Sequence, residues 1–161
     1  MSARVEKWRC PVCGRETMER AHRPYEADVA HDGRSPVRIR IPDLPVVACT
    51  NPDCHATNPD EAVIYDDDTL HYITTETYRQ LGLLTPEEIR AGRERLGLSQ
   101  QEMAELLGLG GNSLSRWENG RVYQSRSTDT LLRLLFDVPQ VLSYLRSRRR
   151  QVPCPSVSAG M

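Results

Sequence analysis

Four of the five cysteines in this 161-residue chain fall into two closely spaced pairs. Cys10 and Cys13 have two residues between them, and Cys49 and Cys54 have four. Four thiolates carried by two turns can enclose a tetrahedral zinc ion, and a closed site of this kind leaves no coordination position open for catalysis. Gly14, directly after the first pair, tolerates the positive φ that such a turn often needs. We therefore predict one structural Zn²⁺ per chain, bound by these four cysteines.

Two other interpretations of the cysteines are open from sequence. They are two unrelated thiol pairs or a redox Cys-x-x-Cys motif, which normally accompanies a βαβ unit that is not evident in this sequence. His55 follows Cys54 directly and could replace a cysteine as a ligand, although four sulfur atoms already complete the shell. The remaining histidines are interpreted as ordinary surface residues: His22, His31 and His71.

A second group of residues with potential chemistry lies in the stretch LSQQEMAELLGLGGNSLSRWENG, residues 98–120. Its two helical segments are joined by a glycine-bearing turn, which is typical of a helix-turn-helix unit. In the second segment, Leu114 and Trp117 are expected to point inward, whereas Asn112 and Arg116 lie four apart on another face. Such a helix can enter the major groove, where Asn suits adenine and Arg suits guanine. We predict that Asn112 and Arg116 read DNA bases.

Residues near this helix are expected to contact the DNA backbone. Ser113 and Ser115 are short donors suited to phosphates, and Gln100 could meet a phosphate through its amide and the positive end of its helix. Arg146 and residues 148–150 either contact phosphates or belong to a solvated tail. The alternative is a helical bundle whose polar residues simply face solvent. The ordered combination of Ser-Gln-x-Glu-x-Ala, a glycine turn and Ser-Arg-Trp-Glu-Asn-Gly favours DNA binding.

The chain around the cysteines predicts a small antiparallel β unit. The Asp-Gly pair at residues 32–33 is a strong hairpin signal, and residues 37–41 alternate apolar and charged side chains as a half-buried strand does. We expect Pro42 and Pro45 to end that strand. The stretch 49–62, rich in Asn, Pro and Asp, is expected to be a loop.

Beyond an acidic stretch at residues 65–69 the pattern becomes helical. Thr75 is expected to cap a short helix that reaches Leu81, and Thr85 and Ser99 begin further helices with capping-box sequences. The predicted fold class is α+β, with a small antiparallel β zinc-binding domain followed by an all-α, five-helix domain that contains the helix-turn-helix. The expected boundaries are a zinc-binding domain at 1–65, a linker with a short helix at 66–84, a DNA-binding domain at 85–150 and a disordered tail at 151–161.

Charge and composition limit the function classes. Residues 1–68 hold nine basic and thirteen acidic residues, whereas residues 69–161 hold twelve basic and nine acidic residues, which suggests two modules with different partners. No run approaches the roughly 18 apolar residues of a membrane span, and the N-terminus lacks a signal-peptide core, so we expect a cytoplasmic protein with reduced thiols. An enzyme is not expected, because the sequence offers no open metal site, no nucleophile with a base at motif spacing and no phosphate loop.

The two halves together resemble the MqsA (YgiT-type) antitoxin family. The resemblance rests on CPVCG at 10–14, on the second cysteine pair after DLPVVAC, and on residues 98–120, and it spans roughly residues 8–146. It implies an N-terminal zinc domain and a C-terminal Xre-like helix-turn-helix, with the base-reading Asn and Arg at Asn112 and Arg116. It also implies a homodimer formed through the C-terminal domains on a palindromic operator, repression of the protein's own operon, and a toxin held by the N-terminal domain. The chain departs from the family in its second pair, which is usually Cys-x2-Cys.

The resulting hypothesis is a sequence-specific DNA-binding transcriptional repressor that is the autoregulating antitoxin of a type II toxin–antitoxin system. Its partners would be double-stranded DNA, a second copy of the chain and a toxin protein, with no membrane. Two alternatives stay open from sequence. One is a stand-alone zinc-containing regulator; the other is a protein-interaction adaptor without a toxin partner, whose helices serve only for dimerisation.

Overall fold

The structure, a computed structural model, describes residues 8–57 and 61–151, and its division into two compact units falls between Leu81 and Gly82. A small antiparallel sheet is followed by a helical region, which confirms the predicted α+β class. The first unit contains β1 (Met18–Val29), β2 (Val37–Cys49), α1 (Pro52–Thr57), β3 (Val63–Ile64) and α2 (Asp67–Leu81). The second contains α3 (Pro86–Arg95), α4 (Gln100–Leu107), α5 (Ser113–Glu118), α6 (Arg126–Asp137) and α7 (Pro139–Gln151).

The sheet has the order β1-β2-β3, and both neighbouring pairs are antiparallel. Asp32 and Gly33, in the connection between β1 and β2, have φ values of 56° and 63°. Gly33 adopts this left-handed conformation without steric cost, and Asp is one of the few other residues that tolerate it. The predicted hairpin at residues 32–33 is therefore confirmed.

β2 does not end at its prolines, contrary to the expectation from sequence. It continues through Pro42 and Pro45 to Cys49: Pro45 pairs in register with His22, and the register shift between Arg23 and Tyr25 lies opposite Pro42. A bulge of this kind accommodates a residue that lacks an N–H group for the ladder. The uninterrupted strand is what connects the hairpin to the second cysteine pair.

The region predicted as a linker with a short helix from Thr75 is instead a fifteen-residue helix, α2. The Asp66 carboxylate accepts hydrogen bonds from the backbone N–H of Thr69 at 2.9 Å and from its hydroxyl at 2.7 Å. These bonds cap the helix and hold the pKa of Asp66 below its usual range. The acidic stretch that looked like a break thus starts the helix, since acidic side chains favour a helix N-terminus.

α2 belongs to the first unit and packs against β2. The Gln80 side-chain amide makes two hydrogen bonds with the backbone of Arg40 in β2, accepting from its N–H at 3.0 Å and donating to its carbonyl at 2.8 Å. These bonds satisfy backbone groups along part of β2 that β3 does not reach. The helix therefore completes the sheet in place of a longer third strand.

The second unit confirms the predicted five helices. Thr85 and Ser99 form capping boxes with Glu88 and Glu102, and Gly108 ends α4 with a φ of 68°. The predicted tail at 151–161 overlaps α7 at its last residue, Gln151, and residues 152–161, with Cys154, lie outside the described part of the chain. Among the described residues, no helix combines the length and apolar character that a membrane span requires. The main core of this unit is apolar: Leu84, Ile89, Leu98, Met103, Ala104, Leu114, Trp117, Leu132 and Leu135.

Candidate metal centre and candidate nucleic-acid interface

The sulfur atoms of Cys10, Cys13, Cys49 and Cys54 all lie within 4.8 Å of one another. The Sγ atoms of Cys10 and Cys54 are 3.8 Å apart, and those of Cys13 and Cys49 are 3.9 Å apart. A tetrahedron of sulfurs about 2.3 Å from a central zinc has edges of about 3.8 Å. The four predicted ligands therefore form one group that can hold a metal ion, and both the spacing and the soft thiolate donors fit zinc.

Local backbone geometry brings the first cysteine pair together. The Cys10 N–H donates to the Arg15 carbonyl at 2.8 Å, and the Gly14 N–H donates to the Cys10 carbonyl at 2.9 Å. Gly14 has a φ of 70°, as predicted for the residue after the second cysteine. The two thiols of this turn therefore share one side of the site.

The second cysteine pair is bridged by a helix where a loop was expected. Cys49 is the last residue of β2, and Cys54 lies within α1. Pro52 at the start of α1 and Asp53 in its first turn are residues that favour a helix N-terminus, so the stretch forms one short helix. This helix turns Cys54 back toward Cys10 across the wider spacing of the second pair.

The thiols experience opposite electrostatic environments. The backbone N–H of Arg15 is the main cause that lowers the pKa of Cys13 to about 6, with a further contribution from the Thr17 hydroxyl. Burial raises the pKa of Cys54 to about 12, and the neighbouring cysteines raise it further. Four buried or half-buried thiolates cannot all ionise together unless a cation compensates their charge. The arrangement is therefore suited to a divalent metal, whose binding releases the thiol protons.

Thr17 is a neighbour of the sulfurs that sequence reasoning missed. Its hydroxyl lies 3.0 Å from the Cys49 sulfur and 3.8 Å from the Cys13 sulfur. Its carbonyl accepts from the Thr50 N–H at 2.8 Å, which links the two cysteine-bearing segments. Neither contact has a motif spacing that could have identified it.

The histidines are not part of the sulfur group, within the part of the chain that the structure describes. The expectation of surface positions holds for His22 and His71, but it is wrong for His31, which is only 9% exposed. His31 begins a tight turn that is closed by the Arg34 N–H donating to the His31 carbonyl. The side chain of His55 lies outside the described residues.

The predicted two-faced character of α5 is present. Leu114 and Trp117 are buried in the apolar core, as predicted, and Asn112 and Arg116 are exposed. Asn112 is the N-cap residue of α5, but its side chain makes no capping hydrogen bond. Among the described residues, neither the Asn112 amide nor the Arg116 guanidinium has an internal hydrogen-bond partner. Both groups are available to an external ligand.

A buried ion pair holds α5 against α3. The Glu118 carboxylate accepts a two-pronged pair of hydrogen bonds from Arg93, at 2.6 and 2.9 Å, and a third from the Gln100 amide at 2.8 Å. Burial acts to raise the pKa of Glu118, but the bonds from Arg93 and Gln100 outweigh it, so the pKa lies below its usual range. The pair is 25 residues apart in sequence and has no motif that predicts it. Its effect is to fix the orientation of α5.

The family described as the antitoxin component of a bacterial toxin–antitoxin system, MqsA, matches residues 8–146. Antitoxin MqsA of Escherichia coli (strain K12) is 30% identical over 140 residues, which cover 86% of this chain and 99% of that protein. The chain belongs to the MqsA antitoxin family. The match includes both the sulfur group and α5, so the resemblance inferred from the motifs is confirmed.

Membership of the MqsA family does not test the individual DNA contacts, and these stay predictions. Ser113 and Ser115 are half-buried, and the Ser115 carbonyl accepts from the Asn119 side-chain amide at 2.7 Å. The side-chain amide nitrogen of Gln100 donates a hydrogen bond to Glu118. A contact between this amide and a phosphate, as predicted, would have to share the same NH₂ group. Arg149 forms an ion pair with Glu105. It is one of the arginines that were expected either to contact phosphates or to lie in a solvated tail.

Proposed function

We propose that this chain is a sequence-specific DNA-binding repressor that represses its own operon as the antitoxin of a type II toxin–antitoxin system. The observation that carries the proposal is the pair formed by Asn112 and Arg116. The two side chains are exposed, have no internal partner among the described residues and lie one helical turn apart, while the opposite face of α5 is buried. Membership of an antitoxin family supports the regulatory role.

The proposed recognition is direct readout in the major groove. Asn112 would bind adenine and Arg116 guanine, each through two hydrogen bonds worth about 1–3 kcal/mol of discrimination. The buried pair of Glu118 and Arg93 keeps α5 in one orientation, so that little ordering is left to occur on binding. Ser113, Ser115 and Gln100 are proposed to contact phosphates, which fix the register of the protein without reading sequence.

We further propose a homodimer formed through the helical units on a palindromic operator. Two copies related by a two-fold axis present two recognition helices to half-sites about one helical turn of DNA apart. The symmetry of the DNA site would then mirror that of the protein. This proposal rests on membership of the MqsA family.

For the first unit we propose a structural zinc ion held by Cys10, Cys13, Cys49 and Cys54, and a toxin protein as partner. The sulfur geometry supports zinc, since a closed shell of four thiolates stabilises a fold and leaves no position for substrate. The acidic balance of residues 1–68 suits a basic partner surface. No catalytic role is proposed for either unit.

The test of DNA recognition is selection of binding sites from random duplexes by the full-length, metal-loaded protein. A palindromic site should be enriched, and it should occur upstream of the protein's own gene, where footprinting measures occupancy. The Asn112→Ala, Arg116→Ala variant should lose discrimination between this site and scrambled DNA, whereas Arg95→Ala is the control for an exposed arginine that contacts the Phe136 carbonyl. Failure to enrich any sequence would refute DNA readout and favour the protein-interaction adaptor.

The toxin role is tested separately with the product of the neighbouring gene. Co-expression should yield a complex with the full-length protein, and the complex should survive the double substitution in α5. If no neighbouring product binds while operator binding is intact, the chain is a stand-alone regulator.

A further inference from the structure

The arginines that surround α5 divide into two groups. Arg90 and Arg93 on α3 are committed to Glu118, one through its carbonyl at 3.0 Å and the other through its carboxylate. Arg116 and Arg121 are exposed, and neither side chain has a hydrogen bond or an ion pair within the residues that the structure describes. Arg121 is not among the residues that the sequence motifs assign to DNA binding, so the role of its exposed guanidinium is open.

The end of α5 brings Arg121 next to Arg116. Gly120 has a φ of 64°, and this left-handed residue reverses the chain so that the Arg121 N–H donates to the Arg116 carbonyl at 2.9 Å. This is the hydrogen-bond pattern of a helix C-terminus closed by glycine. The backbones of the two arginines are therefore in direct contact at the same end of the helix.

Arg121 is not needed to satisfy the end of the helix. A cationic side chain after a helix often binds the last free carbonyl groups, but here those carbonyls already have donors. Ser115 accepts from Asn119, Trp117 accepts from Gly120, and Glu118 accepts from Arg90. The guanidinium of Arg121 is thus left for a ligand outside the chain.

We propose that Arg121 is a DNA-positioning residue that binds a backbone phosphate beside the base read by Arg116. The proposal rests on the proposed DNA-binding function. The major groove is about 12 Å wide, so a phosphate strand borders any helix that reaches base edges within it. The backbone of Arg121 is hydrogen-bonded to that of the base-reading Arg116. Its guanidinium group matches a phosphate in charge and in geometry. Phosphate contacts set register and salt dependence and do not read sequence.

The experiment measures affinity against salt concentration for Arg121→Gln, Arg116→Gln and the control Arg95→Gln, each on the selected duplex and on a scrambled one. Arg121→Gln should weaken binding to both duplexes alike and should reduce the slope of log affinity against log salt by about 0.9 per bound chain. Arg121→Lys should restore most of the slope, because it keeps the charge. Arg116→Gln should instead lose preference for the selected duplex, and Arg95→Gln should match the parent.

Three outcomes would overturn the proposal. Arg121→Gln could keep the affinity and salt slope of the parent, Arg121→Lys could fail to restore the slope, or Arg121→Gln could change base preference at one position, which would make it a reader of sequence. Failure of the underlying function is distinguishable, because then the parent itself would not prefer the selected duplex. Since only the backbone N–H of Arg121 takes part in closing the helix, the variants should keep the parent's thermal unfolding midpoint.

Discussion

The two units of this chain use different means to hold a functional surface. Around the sulfur group of the first unit, the buried cluster consists of three cysteines with Met18, Val47 and Ala62. The second unit has a nine-residue buried cluster with no sulfur ligand, built mainly from leucine, isoleucine, methionine and tryptophan side chains. A cluster as small as the first buries too little apolar surface to order two turns and a short helix. The first unit has a further apolar core away from the sulfurs, in which Ile39, Leu44 and Tyr78 are buried. The difference therefore indicates that the cysteine-bearing end of the first unit depends on a metal, whereas the second unit depends on packing.

The same contrast extends to the polar groups. The first unit presents cross-strand ion pairs at the tip of its hairpin, such as Arg38 with Asp28 at 2.9 Å, and both partners are about half exposed. The second unit buries the Glu118 carboxylate and satisfies it with Arg93 and Gln100. Exposed pairs contribute little because water screens them, whereas a buried pair is costly to break. Substitutions should therefore separate the two units cleanly.

The largest expected effect is the loss of the cysteine-bearing end of the first unit on substitution of a metal ligand. Cys10→Ser should abolish the folding of that end, because structural zinc supplies about 10–16 kcal/mol of apparent binding free energy. Amide NMR spectra should lose the dispersed signals around the cysteines and keep those of residues 82–151, and metal analysis should fall from about one zinc per chain. Cys154→Ser is the control, since Cys154 is not one of the four predicted ligands. Retention of both the metal and the signals around the cysteines in Cys10→Ser would contradict the metal dependence.

A core truncation should have the reverse effect, on the second unit alone. Leu132→Ala should lower its free energy of unfolding by about 2–5 kcal/mol, because Leu132 is fully buried at 0% exposure. Leu134→Ala on the same helix is the matched control, since Leu134 is 46% exposed and should cost less than about 0.5 kcal/mol. Chemical denaturation followed by Trp117 fluorescence, with Trp8→Phe in every variant to remove the signal of the first unit, measures both. Equal costs for the two variants would mean that the apolar core does not control this unit.

Removal of the buried charge should make the second unit less sensitive to acid. Glu118→Gln should cost about 1.5–3 kcal/mol at neutral pH, through weakened hydrogen bonds to Arg93. The folded pKa of Glu118 is lowered from its ordinary value of about 4.3, so its contribution is fully present above that value. The contribution is lost as the pH falls through the folded pKa. The variant should therefore lose less stability than the parent as the pH falls below the ordinary glutamate pKa of about 4.3.

The control for this prediction is Glu94→Gln, whose carboxylate lies 3.6 Å from Arg93 but is 62% exposed. Its stability at neutral pH and its acid profile should both stay close to those of the parent. If the free energy of unfolding of Glu118→Gln depended on pH as that of the parent does, the charge of Glu118 would not contribute to the acid sensitivity of the second unit.

The smallest predicted effect concerns the start of α4. Ser99→Ala should cost the second unit about 1 kcal/mol, because the Ser99 hydroxyl accepts from the Glu102 N–H at 3.2 Å in a capping box. Ser143→Ala, at an exposed position in α7, is the control. The midpoints of denaturation for the two variants should differ, while metal content should be unchanged in both. A change in metal content would indicate that the units are not independent.

Local signals in the sequence predicted much of the fold. The capping residues Thr85 and Ser99, the hairpin at residues 32–33 and the turn at Gly14 act through neighbours a few residues away, so their patterns are visible in one dimension. The four sulfur ligands were predicted because the coordination chemistry of zinc restricts both residue type and spacing. In each case the residues that cause the structure are identified by their type and by their spacing in the sequence.

Contacts between distant residues were not predictable in this way. The helix α2 was misread because its cap, Asp66, stood in a run of acids that looked like a break. The pairing of Gln80 with β2, the contact of Thr17 with the sulfurs and the bond from Arg93 to Glu118 join residues with no fixed spacing. Tertiary packing determines such contacts, and it also decides whether a polar residue such as His31 is buried.

The most direct test of the division between the two units is the affinity of metal-stripped, full-length protein for its selected operator duplex, with amide NMR of the same sample. Signals from the cysteine-bearing end should collapse, while the second unit should keep its fold and its affinity should change less than tenfold, which is about 1.4 kcal/mol. Loss of operator binding together with the metal, while the second-unit signals stay intact, would contradict the division of the chain into a metal-dependent unit and an independent DNA-reading unit.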